Sequence, residues 1–176
     1  PYKENWANTK VILKKKIWTV EDKNNDNYTW EDLDAGAPAY NGANATVNAD
    51  DWLVSPPLHL IAGQTYALEA GAVVGGHSGT GQRMNIAYGT GDDPTTYNEI
   101  VPTTPISGTA FGTPTTIKTT FTPTETGDYR IGFHAVSDRP GYIIMLPVKV
   151  EEAAETSGTP IAISDLKLET GQNGEQ

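Results

Sequence analysis

Tyr129-Arg130-Ile131-Gly132-Phe133-His134-Ala135-Val136 decides the fold class. Tyr129, Ile131, Phe133 and Ala135 fall on one side of an extended chain, and Arg130, Gly132 and His134 on the other. That period of two defines a strand with one face buried. The same alternation recurs around it: Ile117, Thr119 and Phe121 against Thr116, Lys118 and Thr120, and Met84, Ile86 and Tyr88 against Asn85 and Ala87. Extended segments are predicted over residues 10–20, 51–55, 64–74, 82–88, 97–101, 115–122, 128–136, 141–151 and 161–169. Breakers such as Ser55-Pro56-Pro57, Gly75-Gly76, Thr126-Gly127-Asp128 and Arg139-Pro140-Gly141 separate them,. No long amphipathic helix competes. Two sheets laid face to face would bury all these apolar faces together, so the expectation is an all-β sandwich.

The length of 176 residues fits one elaborated domain over 1–169, followed by a polar tail over 170–176 that frays or links to a further domain,. The 18 Gly, 12 Pro and 23 Thr favour strands and turns,. Residues 101–127 hold 11 Thr and 4 Pro, but the alternation around Ile117 and Phe121 argues for a loop entering a strand rather than a stalk,. A formal charge of −10 opposes binding to a nucleic-acid backbone,. No apolar run is long enough to span a bilayer as a helix,. Without Cys there is no disulfide, thiol nucleophile or cysteine-based zinc site,.

The sharpest chemical pattern is Asp22-Lys23-Asn24-Asn25-Asp26-Asn27-Tyr28, between Ile17-Trp18-Thr19-Val20 and Thr29-Trp30. Oxygen ligands at every second position let a tight loop aim Asp22, Asn24 and Asp26 at one hard cation, and such a flexible set suits Ca2+ better than Mg2+. The loop lacks the Gly and the closing Glu of a helix-loop-helix calcium hand. The competing reading is an Asx-rich turn. Farther on, Ile161-Ala162-Ile163-Ser164-Asp165-Leu166-Lys167-Leu168 changes phase at Asp165, where a bulge would re-aim that carboxylate toward a cation, the backbone or solvent,.

Several blocks together resemble the cleaved-adhesin family, also called choice-of-anchor J domains, of secreted proteins from Gram-negative anaerobes. They are Pro1-Tyr2-Lys3-Glu4-Asn5-Trp6; the run from Trp18 to Trp30; Asp50-Asp51-Trp52-Leu53-Val54-Ser55-Pro56-Pro57-Leu58; Leu60-Ile61-Ala62-Gly63-Gln64-Thr65-Tyr66; and Gly132-Phe133-His134-Ala135. The resemblance implies a galactose-binding-like or MAM-like jelly-roll β-sandwich. It implies a secreted, cell-surface or outer-membrane-associated adhesive or accessory module, sometimes beside other domains, with a glycan or a host or matrix protein as partner. It also implies structural Ca2+ between the chain ends, with Glu4 as the early carboxylate, Asp165 as the late one and Asp22 after the first Trp of the loop block. Asn24, Asp26 and Asn27 stand where the family more often carries Asp and Gly, and Ser164 where it commonly has a second Asp.

Catalytic patterns are weak. Ser78, in Gly75-Gly76-His77-Ser78-Gly79-Thr80-Gly81, lacks the flanking glycines of a nucleophile elbow, and no Gly-Lys-Ser follows to cradle phosphate,. His59, His77 and His134 are widely spaced. Asp50 with Asp51, and Asp92 with Asp93, are adjacent and point to opposite faces of a strand, unlike the two facing carboxylates of a glycosidase. In each pair one Asp is expected to bond a turn and the other to face water. Trp6, Trp18 and Trp52 read as core. Trp30 and Tyr40 are the candidates for an exposed sugar-stacking surface, the basis of an alternative reading as a carbohydrate-binding module attached to a larger glycan-processing enzyme.

Overall fold

The computed structural model describes residues 2–34, 36–75, 81–107 and 113–154. The elements in chain order are β1 (Tyr2–Glu4), helix α1 (Thr9–Lys14), β2 (Thr19–Asp22), β3 (Trp30–Asp32), β4 (Pro38–Asn41), β5 (Asp51–Val54), β6 (Leu58–Leu60), β7 (Tyr66–Gly75), β8 (Arg83–Gly89), β9 (Asn98–Pro105), β10 (Thr115–Phe121), β11 (Gly127–Ala135), β12 (Tyr142–Met145) and β13 (Val148–Glu152). They form two antiparallel sheets, one of seven strands and one of six, in a jelly-roll sandwich.

β7 is the spine of the larger sheet. β10 pairs along one edge, while β13 and β12 share the other, opposite Tyr66–Glu69 and Ala72–Gly75 respectively. β1 flanks β13, and β4 followed by β3 flanks β12. In the smaller sheet β11 is central, with β8 and then β9 on one edge, and β5 and β6 on the other; β2 lies outside β5.

The alternation that set the fold class holds in three dimensions. Tyr129, Ile131, Phe133 and Ala135 of β11 point inward and meet Leu68, Ala70, Ala72 and Val74 of β7 in one core. Trp18, fully buried, packs edge-on to Trp6 with ring centroids 4.8 Å apart and lies 6.0 Å from Phe133. Burying such aromatic area adds to the stability that the aliphatic core supplies,.

Two expectations change. Residues 10–20 are not one strand: Thr9–Lys14 is helical, because Ile12 and Leu13 pack on the core while Lys10 and Lys14 reach solvent, and the strand begins only at Thr19. Lys16, with φ of 57°, ends the helical stretch,. The segment 141–151 is two strands. Pro147 has no N–H for a ladder, and the chain shifts at Leu146-Pro147 from one register on β7 to the next,. The strand that pairs with β1 is β13, with Glu4 opposite Val148. The expected strand over 161–169, residues 76–80 with His77 and Ser78, and the tail over 170–176 lie outside the described residues, and so does Asp165. Among the described residues no helix is long and apolar enough to cross a membrane.

Candidate metal centre

β2 ends at Asp22, and the chain turns back to β3 through a loop whose geometry depends on asparagine. Asn25 and Asn27 take φ of 54° and 68°, the left-handed region that Asn tolerates better than most residues with a Cβ. The loop is tied by its own acids: Asp22 Oδ2 accepts from the Asn27 N–H at 2.9 Å, and Asp26 Oδ1 from the Tyr28 N–H at 3.0 Å. Lys23 N–H donates to Asp50 O, and Asn24 Nδ2 to Asn48 O, so the loop is pinned to the segment entering β5.

That segment supplies the residue the spacing did not reveal. Asp51 is fully buried, and its Oδ2 accepts from the Asp50 N–H at 2.9 Å. Carboxylate oxygens of Asp22, Asp26 and Asp51 lie within 4.8 Å of one another. Each of the three acids therefore uses one oxygen on a backbone N–H and leaves the other, Asp22 Oδ1, Asp26 Oδ2 and Asp51 Oδ1, buried without a donor. Asn24 Oδ1 is orphaned in the same way. Burial, with the charges of Asp22 and Asp26 adding to it, pushes the Asp51 carboxyl up to about 7,. Unpaired buried oxygens are costly. A group of three carboxylates in this state fits a divalent cation bound through oxygen,. The signal for Asp51 was present in the sequence: it shares its side of β5 with the core residue Leu53, so an inward-facing acid was implied.

Trp30 and Tyr40 underlie this corner and do not form a surface platform. They are 2 % and 1 % exposed, with rings edge-on at 6.2 Å. Trp30 Nε1 donates to Asp51 O at 3.0 Å, and burial together with the charges of Asp51, Asp26 and Asp22 raises the Tyr40 phenol well above its usual range. Their aromatic faces are spent on the core, which corrects the expectation of a stacking surface.

Glu4, expected as a ligand, stands apart from the Asp22, Asp26 and Asp51 group. Its Oε1 accepts from Tyr2 OH at 3.0 Å and Trp18 Nε1 at 3.2 Å, and its Oε2 from the Trp6 N–H at 3.0 Å. Protein donors serve both oxygens, so this carboxylate needs no cation for its hydrogen bonds.

The outer face of the six-stranded sheet carries a polar row. His134 stacks on Trp52 with centroids 3.9 Å apart and planes 7° from parallel. Its Nε2 lies 2.7 Å from Asp50 Oδ1 and its Nδ1 lies 3.2 Å from Asn85 Nδ2, while Asn85 Nδ2 reaches Thr103 Oγ1 at 3.5 Å. Burial lowers the His134 pKa, and the Asp50 hydrogen bond and charge oppose that shift. Trp52, expected in the sandwich core, instead packs on this outer face with Val54, Ala87 and Tyr97. A side chain at Gly132 would press within 2.8 Å of the Trp52 ring, so glycine is what lets Trp52 lie there. Asp92 and Asp93 behave as expected: Asp93 caps a short 3-10 turn by accepting from the Thr95 N–H, and Asp92 is exposed. Asp51 is the exception among the paired acids, because its side chain faces the core rather than water.

The architecture is a jelly-roll β-sandwich with a carboxylate cluster at the β2–β3 turn. Neither a family model nor a curated protein matches the sequence. Among solved structures the chain is similar to the K1 cleaved adhesin domain of Lys-gingipain from Porphyromonas gingivalis W83, with a TM-score of 0.65 and 17% identity, covering 87% of this chain and 98% of that one. The K3 cleaved adhesin domain of the same protein matches with a TM-score of 0.57 and 16% identity over 78% and 92%. A CBM4 structure matches at 0.53 and 14% over 77% and 86%. At these identities the likeness establishes the fold.

Proposed function

We propose that the chain is a non-catalytic binding module of a secreted or cell-surface protein, an adhesive or accessory unit stabilised by structural Ca2+. The observation that carries the metal is the set of four buried, donorless oxygens on Asp22, Asn24, Asp26 and Asp51. When bound, the ion supplies the positive charge and the coordination that these oxygens lack. Asp22, Asn24, Asp26 and Asp51 hold it, while their remaining polar atoms keep the loop tied to backbone. This set replaces Glu4, whose oxygens are already served. The Asp165 carboxylate has no role in this reading.

The non-catalytic part rests on the chemistry at hand. The two ring nitrogens of His134 are taken up by a carboxylate on one side and an amide on the other, so neither is bonded to a hydroxyl or thiol that it could activate as a nucleophile,. The three clustered acids converge within 4.8 Å of one another rather than flanking a sugar cleft as two opposed carboxyls,. Recognition of a glycan or of a host or matrix protein is assigned to the outer face of the six-stranded sheet, where His134, Asn85, Thr103 and Asp50 offer donors and acceptors beside the edge of Tyr97. The same face supports the second reading, a carbohydrate-binding module of a larger glycan-processing enzyme.

The test is an array of glycans and matrix proteins probed with wild type and His134→Ala, in Ca2+ and in chelator. Binding to one ligand class that His134→Ala weakens at least about tenfold supports the assignment, a tenfold change being about 1.4 kcal/mol. Binding that His134→Ala leaves intact moves recognition to another surface. No binding by wild type to any ligand on the array contradicts the recognition role.

A further inference from the structure

The chain is acidic as a whole, yet one segment reverses that sign. Between Asn5 and Val20 there is no Asp or Glu, and Lys10, Lys14, Lys15 and Lys16 provide four of the 12 basic residues. All four are exposed. Lys10 makes a loose pair with Asp34 at 3.9 Å, both side chains more than 70% exposed (73% and 87%); Lys14, Lys15 and Lys16 make no ion pair among the described residues. By contrast Lys118, Lys149, Lys23 and Arg83 are each held by nearby carboxylates.

The same segment also exposes aliphatic surface. Among the described residues, the large apolar side chains left exposed are Val11, Ile17, Val47 and Ile61. Two of these four, Val11 at 36% and Ile17 at 45%, are interleaved with the lysines. Helix α1 turns Ile12 and Leu13 to the core and Lys10, Val11 and Lys14 outward. The left-handed Lys16 and the Ile17 N–H bonded back to Ile12 O then fold the last lysines and Ile17 against the end of that turn. The product is a small cationic knob with two aliphatic side chains at its surface.

We propose that this knob docks the module on an anionic lipid surface. Lysines clustered at such a surface gain from its negative potential, and exposed aliphatic side chains gain from entering the headgroup and acyl boundary. A soluble polyanion would use the lysines alone and leave Val11 and Ile17 in water. The acidic remainder of the chain is repelled by the same surface, with a reach of about 8 Å at physiological salt. It therefore orients the module with α1 toward the lipid and does not prevent contact there.

The full chain is mixed with vesicles of phosphatidylcholine alone and with vesicles containing about one-third phosphatidylglycerol, and sedimentation is measured. Expected is binding to the anionic vesicles only, reversed by salt, reduced at least tenfold by the triple variant K14E/K15E/K16E and severalfold by V11S/I17S. Retention on a heparin column, which samples charge alone, is expected to fall for the lysine variant and to stay unchanged for V11S/I17S. Of the five positions, Lys14, Lys15 and Lys16 are charged surface sites and Val11 and Ile17 are exposed apolar ones, and melting curves check that both variants fold. Equal binding to neutral vesicles, or no binding to either, overturns the proposal. So does vesicle binding insensitive to V11S/I17S alongside lysine-dependent heparin retention, which assigns the knob to an acidic polysaccharide.

Discussion

Two acidic corners of this sandwich use carboxylates in opposite ways. At Glu4, one acid meets three donors from Tyr2, Trp6 and Trp18, and both oxygens are served. At the β2–β3 turn, three acids meet one backbone N–H each and leave an oxygen apiece without a donor. The residues are chemically alike. The donor supply differs: the first corner is complete in the polypeptide, and the second keeps oxygens that a cation would satisfy under the proposed function. Counting donors around each buried oxygen thus separates a structural carboxylate from a ligand where acidity and position in the chain do not.

The largest effect should come from dismantling the self-sufficient corner. Trp18→Ala removes a fully buried ring and one of the Glu4 donors, and should cost about 3–5 kcal/mol by chemical denaturation,. A loss below about 1 kcal/mol would mean that this corner is not anchored by the core.

Next in size is the response to Ca2+. At about one hundred times its Kd the ion should add about 2.7 kcal/mol, which for a chain of this length raises Tm by about 5–10 °C. Asp51→Asn and Asp26→Asn should abolish that rise, whereas Glu4→Gln should keep it. A rise that survives Asp51→Asn would place the ion elsewhere.

Chelated protein should show an inverted pH dependence at the same corner. The Asp51 carboxyl is raised from 3.8 to about 7 in the folded chain. Below about 4 it is protonated in both states and makes no difference. Between about 4 and 7 the unfolded chain releases a proton that the folded chain still holds, so stability falls as pH rises, and above about 7 the loss is complete. Denaturation across this range should show the fall in wild type and a flatter profile in Asp51→Asn. Added Ca2+ should oppose it, because the ion favours the ionised form.

The smallest effect belongs to Glu4→Gln. It keeps an acceptor in place and weakens charge-assisted bonds to neutral ones, so a loss of about 1 kcal/mol is expected.

The fold was legible because strand alternation is local. The pattern from Tyr129 to Val136 fixes which face is buried, and its partners at Ile117 and Ile86 repeat the rule. The helix at Thr9–Lys14 was not legible: it is too short to be stable by itself, and it exists because Ile12 and Leu13 find the core, a tertiary effect that Val11 and Ile12 disguise as strand propensity. The convergence of Asp22 and Asp26 was legible, since alternate acids in a turning chain carry their geometry in the spacing. The inward direction of Asp51 was legible from its alternation with Leu53, but its distance along the chain hid its place beside Asp22 and Asp26. Trp30 and Tyr40 were misread as surface because aromatic residues beside polar loops look alike whether they cap a site from outside or floor it from within.

The most direct measurement is calorimetric titration of Ca2+ into chelator-stripped protein, comparing wild type, Glu4→Gln and Asp51→Asn. The account predicts one bound ion in wild type and in Glu4→Gln, and at least tenfold weaker binding, about 1.4 kcal/mol or more, in Asp51→Asn. Absence of binding in wild type, or binding that Glu4→Gln removes and Asp51→Asn leaves unchanged, would contradict it.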